Sequence, residues 1–215
     1  RYSFLRFAEM LWRQSGGIFE ASGFAGSCEV SRSTIANYLA ALEATAVVHV
    51  IRPFHSRKTT EIVAAPKVYG FDTGFVCFYR GWDRLRPEDL GALWEHYVLN
   101  ELHSRLPQRQ VRYWRDKQKH EIDFVLSEPG KAGPTAIECK WSADGFDPAA
   151  LLAFHHRYPH GVSLVVAQDV ARDFTREYHG VEVRFASLEG MVQRLGGAPA
   201  PTAPRGAPSL PETAG

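Results

Sequence analysis

Two short apolar runs with acids at alternate positions restrict this chain more than any other feature. Glu121-Ile122-Asp123-Phe124-Val125-Leu126 and Thr135-Ala136-Ile137-Glu138-Cys139-Lys140-Trp141 read as β-strands. Residues i and i+2 of a strand point to one face. Glu121 and Asp123 are therefore expected on one face, opposite Ile122, Phe124 and Leu126. Glu138 and Lys140 share a face opposite Ile137, Cys139 and Trp141. If the strands are neighbours, two or three carboxylates and one ammonium converge on a narrow patch. Carboxylates so close are unfavourable unless a cation neutralises them. Mg²⁺ or Mn²⁺ is the natural choice, because hard cations take carboxylate oxygens and keep waters.

A chemistry follows from that set. Asp123 and Glu138 would hold the ion, with help from the Cys139 carbonyl, and the ion would acidify a water and polarise a phosphoryl oxygen. Lys140 would orient the attacking water or offset charge developing on the phosphate. A further carboxylate can come from the strong helix expected over Gly91–Leu106. Glu95 and Glu101 are the candidates, and six residues of helical rotation put them on different faces, so only one points inward. E-x-K alone is a weak motif, and Glu121 with Asp123 would also suit an edge strand protected by charge. The order carries the weight: a helix with a glutamate, a strand with an aspartate, then an apolar-flanked strand with E-x-K. That is the order of a restriction-endonuclease-like, PD-(D/E)XK domain.

The remaining pattern of the second half completes an α/β core. After strands at Val111–Arg115, Glu121–Leu126 and Thr135–Trp141, a helix is expected across Pro148–Tyr158 and a buried strand at Val162–Ala167. A short helix near Ala171–Tyr178, a strand Val181–Phe185 and a helix Leu188–Leu195 follow. The polar stretch Arg84–Asp89, with Pro87, is the expected module boundary, giving a nuclease-like domain over 84–195. The Pro-, Ala- and Gly-rich residues 196–215 are expected to be disordered.

Residues 1–83 form the other expected module. Phe4, Phe7, Ala8, Leu11 and Trp12 mark an amphipathic helix, and a weaker helical patch spans Ile18–Ala25. A third helix is opened by Ser31 or Ser33, with Ile35, Tyr38, Leu39 and Leu42 as its buried stripe. Strands Val47–Ile51 and Ile62–Ala64 flank a basic turn. Three helices and a hairpin are the order of a winged helix-turn-helix. Arg32, Ser33, Thr34 and Asn37 would face outward from the third helix, and Arg57 and Lys58 would sit at the wing tip, where phosphate and groove contacts need such side chains. Equally, the module could serve packing or partner docking.

Composition sets the broad class. The 215 residues, net charge +1 and 45% apolar content are those of a globular protein. No window approaches the ~18 apolar residues of a membrane span. Cys28, Cys77 and Cys139 lack CxxC spacing, which points to a reducing cytoplasm and against disulfides or structural zinc. Global charge says nothing for nucleic acid, but Arg109, Arg112, Arg115, Lys117 and Lys119 face one acid, Asp116. Beside a nuclease-like motif, Arg115, Lys117 and Lys119 become candidates for phosphate contact.

Several segments also carry a family resemblance. Ser31-Arg32-Ser33-Thr34-Ile35-Ala36-Asn37-Tyr38-Leu39, Pro66-Lys67-Val68-Tyr69-Gly70-Phe71-Asp72-Thr73-Gly74 and Gly91-Ala92-Leu93-Trp94-Glu95 belong to that set. So do Tyr113-Trp114-Arg115-Asp116-Lys117, Glu121-Ile122-Asp123-Phe124 and Ala136-Ile137-Glu138-Cys139-Lys140. Jointly they resemble the C-terminal half of prokaryotic AAA-type ATPases that join a P-loop domain to a winged helix and a PD-(D/E)XK-like domain. The resemblance implies an ATPase domain preceding this chain, which has no G-x-x-x-x-G-K-[ST] loop of its own. It favours Glu95 over Glu101, and it implies self-association. Three readings stand, beginning with a metal-dependent DNA endonuclease and a non-catalytic DNA-binding or regulatory module of the ATPase on a nuclease-like scaffold. A protein-interaction platform is the third.

Overall fold

The computed structural model describes residues 2–55, 65–127, 130 and 132–196. Arg57, Lys58, the expected strand at Ile62–Ala64 and the tail beyond Gly196 lie outside them. The described chain is a mixed α/β structure of seven α-helices around one nine-stranded mixed sheet.

The first half runs α1 (Tyr2–Arg13), β1 (Gly17–Ile18), α2 (Ala21–Cys28), α3 (Arg32–Ala44), β2 (Val48–Pro53) and β3 (Lys67–Gly70). Phe7, Leu11 and Trp12 of α1 meet Phe24 and Cys28 of α2 and Ile35, Leu39 and Leu42 of α3 in one apolar cluster. Ser31 opens α3 by accepting the Thr34 N–H at 3.1 Å, as its cap position requires. Tyr38 is only partly buried and pairs its hydroxyl with Ser3 at 2.9 Å. The helical patch expected from Ile18 begins later. Gly17 and Ile18 pair with Val68 and Lys67 as a short edge strand, and the helix starts at Ala21.

A short helix, α4 (Thr73–Arg80), leads to the long α5 (Pro87–Arg105). The stretch expected to be a polar boundary from Arg84 to Asp89 contains the start of that helix. Pro87 takes its first turn, where a missing N–H costs nothing. The Asp89 carboxylate accepts the Arg86 backbone N–H at 3.0 Å and its guanidinium at 2.9 Å. The sheet does not stop there. β2 pairs in parallel with β4 (Val111–Arg115), joining Arg52 to Arg112 and Pro53 to Tyr113.

The second half continues with β5 (Glu121–Leu126), β6 (Thr135–Lys140), a 3₁₀ turn, α6 (Ala149–Arg157), β7 (Val162–Ala167), β8 (Phe174–Tyr178), β9 (Val181–Ala186) and α7 (Leu188–Arg194). Strand order is β1-β3-β2-β4-β5-β6-β7-β9-β8. β4, β5 and β6 are antiparallel neighbours, and β6, β7 and β9 run parallel. Successive residues of β7 alternate between two cores. Leu164 and Val166 face α5 and α7 together with Leu99, Leu102, Ile137 and Met191. Val165 and Ala167 face α6 with Leu151, Phe154, Val183 and Phe185. A strand covered on both faces reads as continuous Val/Leu/Ala.

The short helix expected near Ala171–Tyr178 is instead β8, the outer strand of a hairpin with β9. Two residues decide this. His179 and Gly180 both have positive φ, 50° and 80°, the pair that a two-residue hairpin turn requires. Phe174, Arg176 and Tyr178 then share a face. Phe174 stacks on Phe185 at 4.8 Å, with the Arg176 guanidinium 5.1 Å above the Phe174 ring.

Candidate active site

The site lies where β5 begins and β6 ends, roofed by α5 and reached from the side by β3. Its geometry departs from simple alternation. Arg112 pairs with Val125 but Trp114 pairs with Ile122, so Asp123 and Phe124 together stand opposite Tyr113. Such a bulge re-aims the strand. Phe124 and Leu126 consequently pack under α5, whereas Ile122 packs with Val125 on the opposite side. The expectation that Ile122, Phe124 and Leu126 share a face is thus corrected: the extra residue turns the chain over at Asp123. Asp123 is held at this switch by the Cys139 backbone N–H, which donates to Oδ2 at 2.7 Å.

Around Asp123 the structure gathers Glu138, Lys140, Glu95 and Glu121. Lys140 Nζ donates to Glu138 Oε1 at 2.9 Å. The other oxygen, Oε2, is buried with no hydrogen-bond partner among the described residues. Burial, then the Asp123 charge, pushes the Glu138 carboxyl up to about 8. Asp123 is likewise raised, by burial and then by Glu95. Both acids are held where their anions lack enough positive charge. Lys140 is raised: burial pulls it down, but Glu138 and Asp123 more than offset that. Glu95 accepts the Tyr69 hydroxyl at 2.5 Å. Glu101 is turned away and pairs with Arg105 at 2.7 Å.

Lys67 and Tyr69, both on β3, were not singled out as site residues from the sequence. Lys67 is only 4% exposed. Its ammonium contacts Glu121, lies 3.6 Å from Glu95 and donates to the Tyr69 hydroxyl at 3.3 Å. The available signal was the i, i+2 spacing, which puts Lys67 and Tyr69 on one face. Nothing local, however, links β3 to a strand pair fifty residues later.

The expected nucleic-acid contacts fall in separate places. Arg32, Ser33, Thr34 and Asn37 lie on α3, which packs against α1, α2 and β2. Arg32 and Asn37 are exposed, but the Ser33 and Thr34 hydroxyls are tied to Ser31 at 2.7 and 2.8 Å. Lys117 and Lys119 are exposed on the β4–β5 turn, which Asp116 closes by accepting from His120 N at 2.9 Å. Arg115 is 3.6 Å from Glu121. Arg115 and Lys117 also line a cavity of about 650 Å³ with Trp114, Arg157 and Tyr158.

Among the described residues, no three His, Cys, Asp or Glu side chains form a ready metal cage. Lysines already contact Glu121 and one oxygen of Glu138. Asp123 and the unpartnered Glu138 oxygen remain. These hard carboxylate oxygens, short of positive charge, fit Mg²⁺ or Mn²⁺, which commonly take one or two carboxylates and complete their shell with water and substrate phosphate.

Known proteins divide the chain in the same region where α5 begins. Residues 2–86 match a domain of unknown function, DUF8612, and residues 90–184 match a second, DUF4143. Two domains of unknown function cover most of the chain. Uncharacterized proteins of Mycobacterium bovis and Mycobacterium tuberculosis are each 33% identical over 135 residues, 61% of this chain. The matched region is 30% of the length of either relative. No helix among the described residues is long and apolar enough to cross a membrane.

Proposed function

We propose that this chain is a metal-dependent DNA endonuclease module of a AAA-type ATPase, with Asp123, Glu138 and Lys140 at its centre. The observation that carries the reading is the unpartnered, buried Glu138 oxygen beside Asp123, with Lys140 on the other oxygen. The succession α5-β4-β5-β6-α6-β7 is compatible with a nuclease-like core. The order α1-β1-α2-α3-β2-β3 is compatible with a winged helix.

Asp123 and Glu138 would hold Mg²⁺ or Mn²⁺, which would supply Lewis acidity toward water and a phosphoryl oxygen. The Cys139 N–H fixes one oxygen of the Asp123 carboxylate and with it the carboxylate's orientation. Lys140 keeps Glu138 oriented and places a positive charge where the phosphate gains negative charge. Glu95 is steadied by Tyr69. Arg115, Lys117 and Lys119 approach the backbone from the β4–β5 turn, and Arg32 and Asn37 from α3, so affinity falls steeply with salt.

The second reading, DNA binding on a nuclease-like scaffold without cleavage, is favoured by the carboxylates that lysines already contact. Cleavage of single-stranded, duplex and branched DNA with Mg²⁺ or Mn²⁺ separates the two. Cutting that is lost in Asp123→Ala and in Lys140→Ala establishes the nuclease. Binding without cutting, also after adding an ATPase domain, rejects it.

A further inference from the structure

We infer that Lys67 is a built-in cation of this site: its ammonium stands among Glu95, Glu121 and Asp123 where a second divalent ion would otherwise be needed. This inference rests on the proposed metal site at Asp123 and Glu138, and it limits that site to a single ion.

Position and packing support it. Lys67 reaches the cluster from β3, in the first half of the chain, and is almost wholly buried. A buried ammonium loses its hydration, and that loss is offset only where carboxylates surround it. Here it contacts Glu121 and lies 3.6 Å from Glu95. The rings of Tyr69 and Tyr113 lie 5.8 and 5.7 Å from its nitrogen, within range of cation–π attraction. The Tyr69 hydroxyl accepts from the ammonium at 3.3 Å and donates to Glu95 at 2.5 Å, while the Tyr113 hydroxyl donates to the Ala65 carbonyl at 2.7 Å. The rings therefore wall the ammonium in. Burial opposes the charge, yet Glu95, Asp123 and Glu121 outweigh it and hold Lys67 protonated.

The consequence is a division of labour among four acids. Glu95 and Glu121 answer a fixed positive charge, whereas Asp123 and Glu138 keep oxygens for an exchangeable one. Removing the ammonium leaves three carboxylates that must take up protons or a cation. The site also cannot be complete without β3, so the first half contributes directly to the chemistry of the second.

The test is Mn²⁺ titration of the full chain followed by electron paramagnetic resonance, with thermal unfolding as a check on folding. One ion per chain is expected for the wild type and for Lys67→Arg, and one additional ion for Lys67→Met. Glu121→Gln should leave Mn²⁺ affinity within about twofold, while Asp123→Asn should lower it at least tenfold. Two ions in the wild type would overturn the inference, as would Glu121→Gln weakening binding as much as Asp123→Asn does. Neither result requires Lys67→Met to fold. An unchanged count in a folded Lys67→Met would overturn it too. Single-ion binding without DNA cleavage, also after adding an ATPase domain, would sink the nuclease reading and leave Lys67 in its role. Two ions with cleavage would do the reverse.

Discussion

Two buried polar groups lie on either side of Tyr69, and they are built on opposite principles. On one side, Ser15 accepts the Gly70 N–H at 2.7 Å and meets His96 Nε2 at 2.7 Å. His96 Nδ1 donates to the Ala92 carbonyl at 2.7 Å, so its Nε2 accepts from Ser15. Each donor has an acceptor, and burial holds His96 neutral, down to about 4. On the other side, Asp123 and Glu138 are pressed together with an oxygen unanswered and their proton affinities raised. Tyr69 touches both, edge-on to His96 at 5.2 Å and hydrogen-bonded to Glu95. A satisfied neutral network fixes one arrangement of the fold. An unsatisfied charged one costs stability, and such costs gather where chemistry is done.

That contrast can be broken most directly at Asp123. Asp123→Ala should reduce metal-dependent cleavage by about a thousandfold, the scale of losing a principal electrostatic contact to the transition state. Asp123→Asn, which keeps an oxygen for the Cys139 N–H, should be equally or more stable to heat, because a destabilised acid has been removed. A large loss of stability would mean that the acid cluster is structural after all. Ser15→Ala should do the opposite. Leaving the Gly70 N–H and His96 unsatisfied should cost about 1–3 kcal/mol in denaturant unfolding, with cleavage per folded molecule unchanged.

Stability against pH sharpens the comparison. An acid whose folded pKa is raised binds more protons folded than unfolded, so stability falls as pH rises through that interval. Glu138, at about 8, and Asp123 both act in this direction. His96 and His103, each lowered to about 4 by burial, act oppositely, and their stability is lost as pH falls below the unfolded value near 6.5. Between about 4.5 and 6.5 the two effects oppose each other. Between 6.5 and 8 only the carboxylates titrate, and the metal-free protein should lose stability, by up to a few kcal/mol. Glu138→Gln should flatten that alkaline limb, as should saturating Mg²⁺. A limb unchanged in the variant would place the titrating group elsewhere. The smallest effect is expected at the rim: Lys117→Ala should reduce the salt slope of DNA binding by about one unit, without altering the pH limb.

Much of this was legible along the chain because its information is local. Strands at Val111–Arg115, Glu121–Leu126 and Val162–Ala167 end where the apolar pattern ends. The Ser31 cap and the Ile35, Leu39 and Leu42 stripe of α3 follow from helical spacing. The E-x-K pair converges because side chains two apart in a strand share a face. β8 is hidden in the sequence because Thr175, Arg176 and Glu177 are exposed and give no buried stripe. Its signal was the turn pair His179-Gly180, whose second residue tolerates positive φ at no steric cost.

Residue order alone therefore determined that Glu138 and Lys140 share one face of a strand; the sheet decided that Asp123 stands beside them on the neighbouring strand. Only the tertiary structure decided that the bulge at Asp123 turns β5 over, and that Glu95 faces inward while Glu101 pairs outward. It also decided that Lys67 of β3 enters the acid cluster. The physical reason is range. Alternation and capping act over a few residues, whereas the charge balance of a buried site depends on which distant strands the sheet brings together.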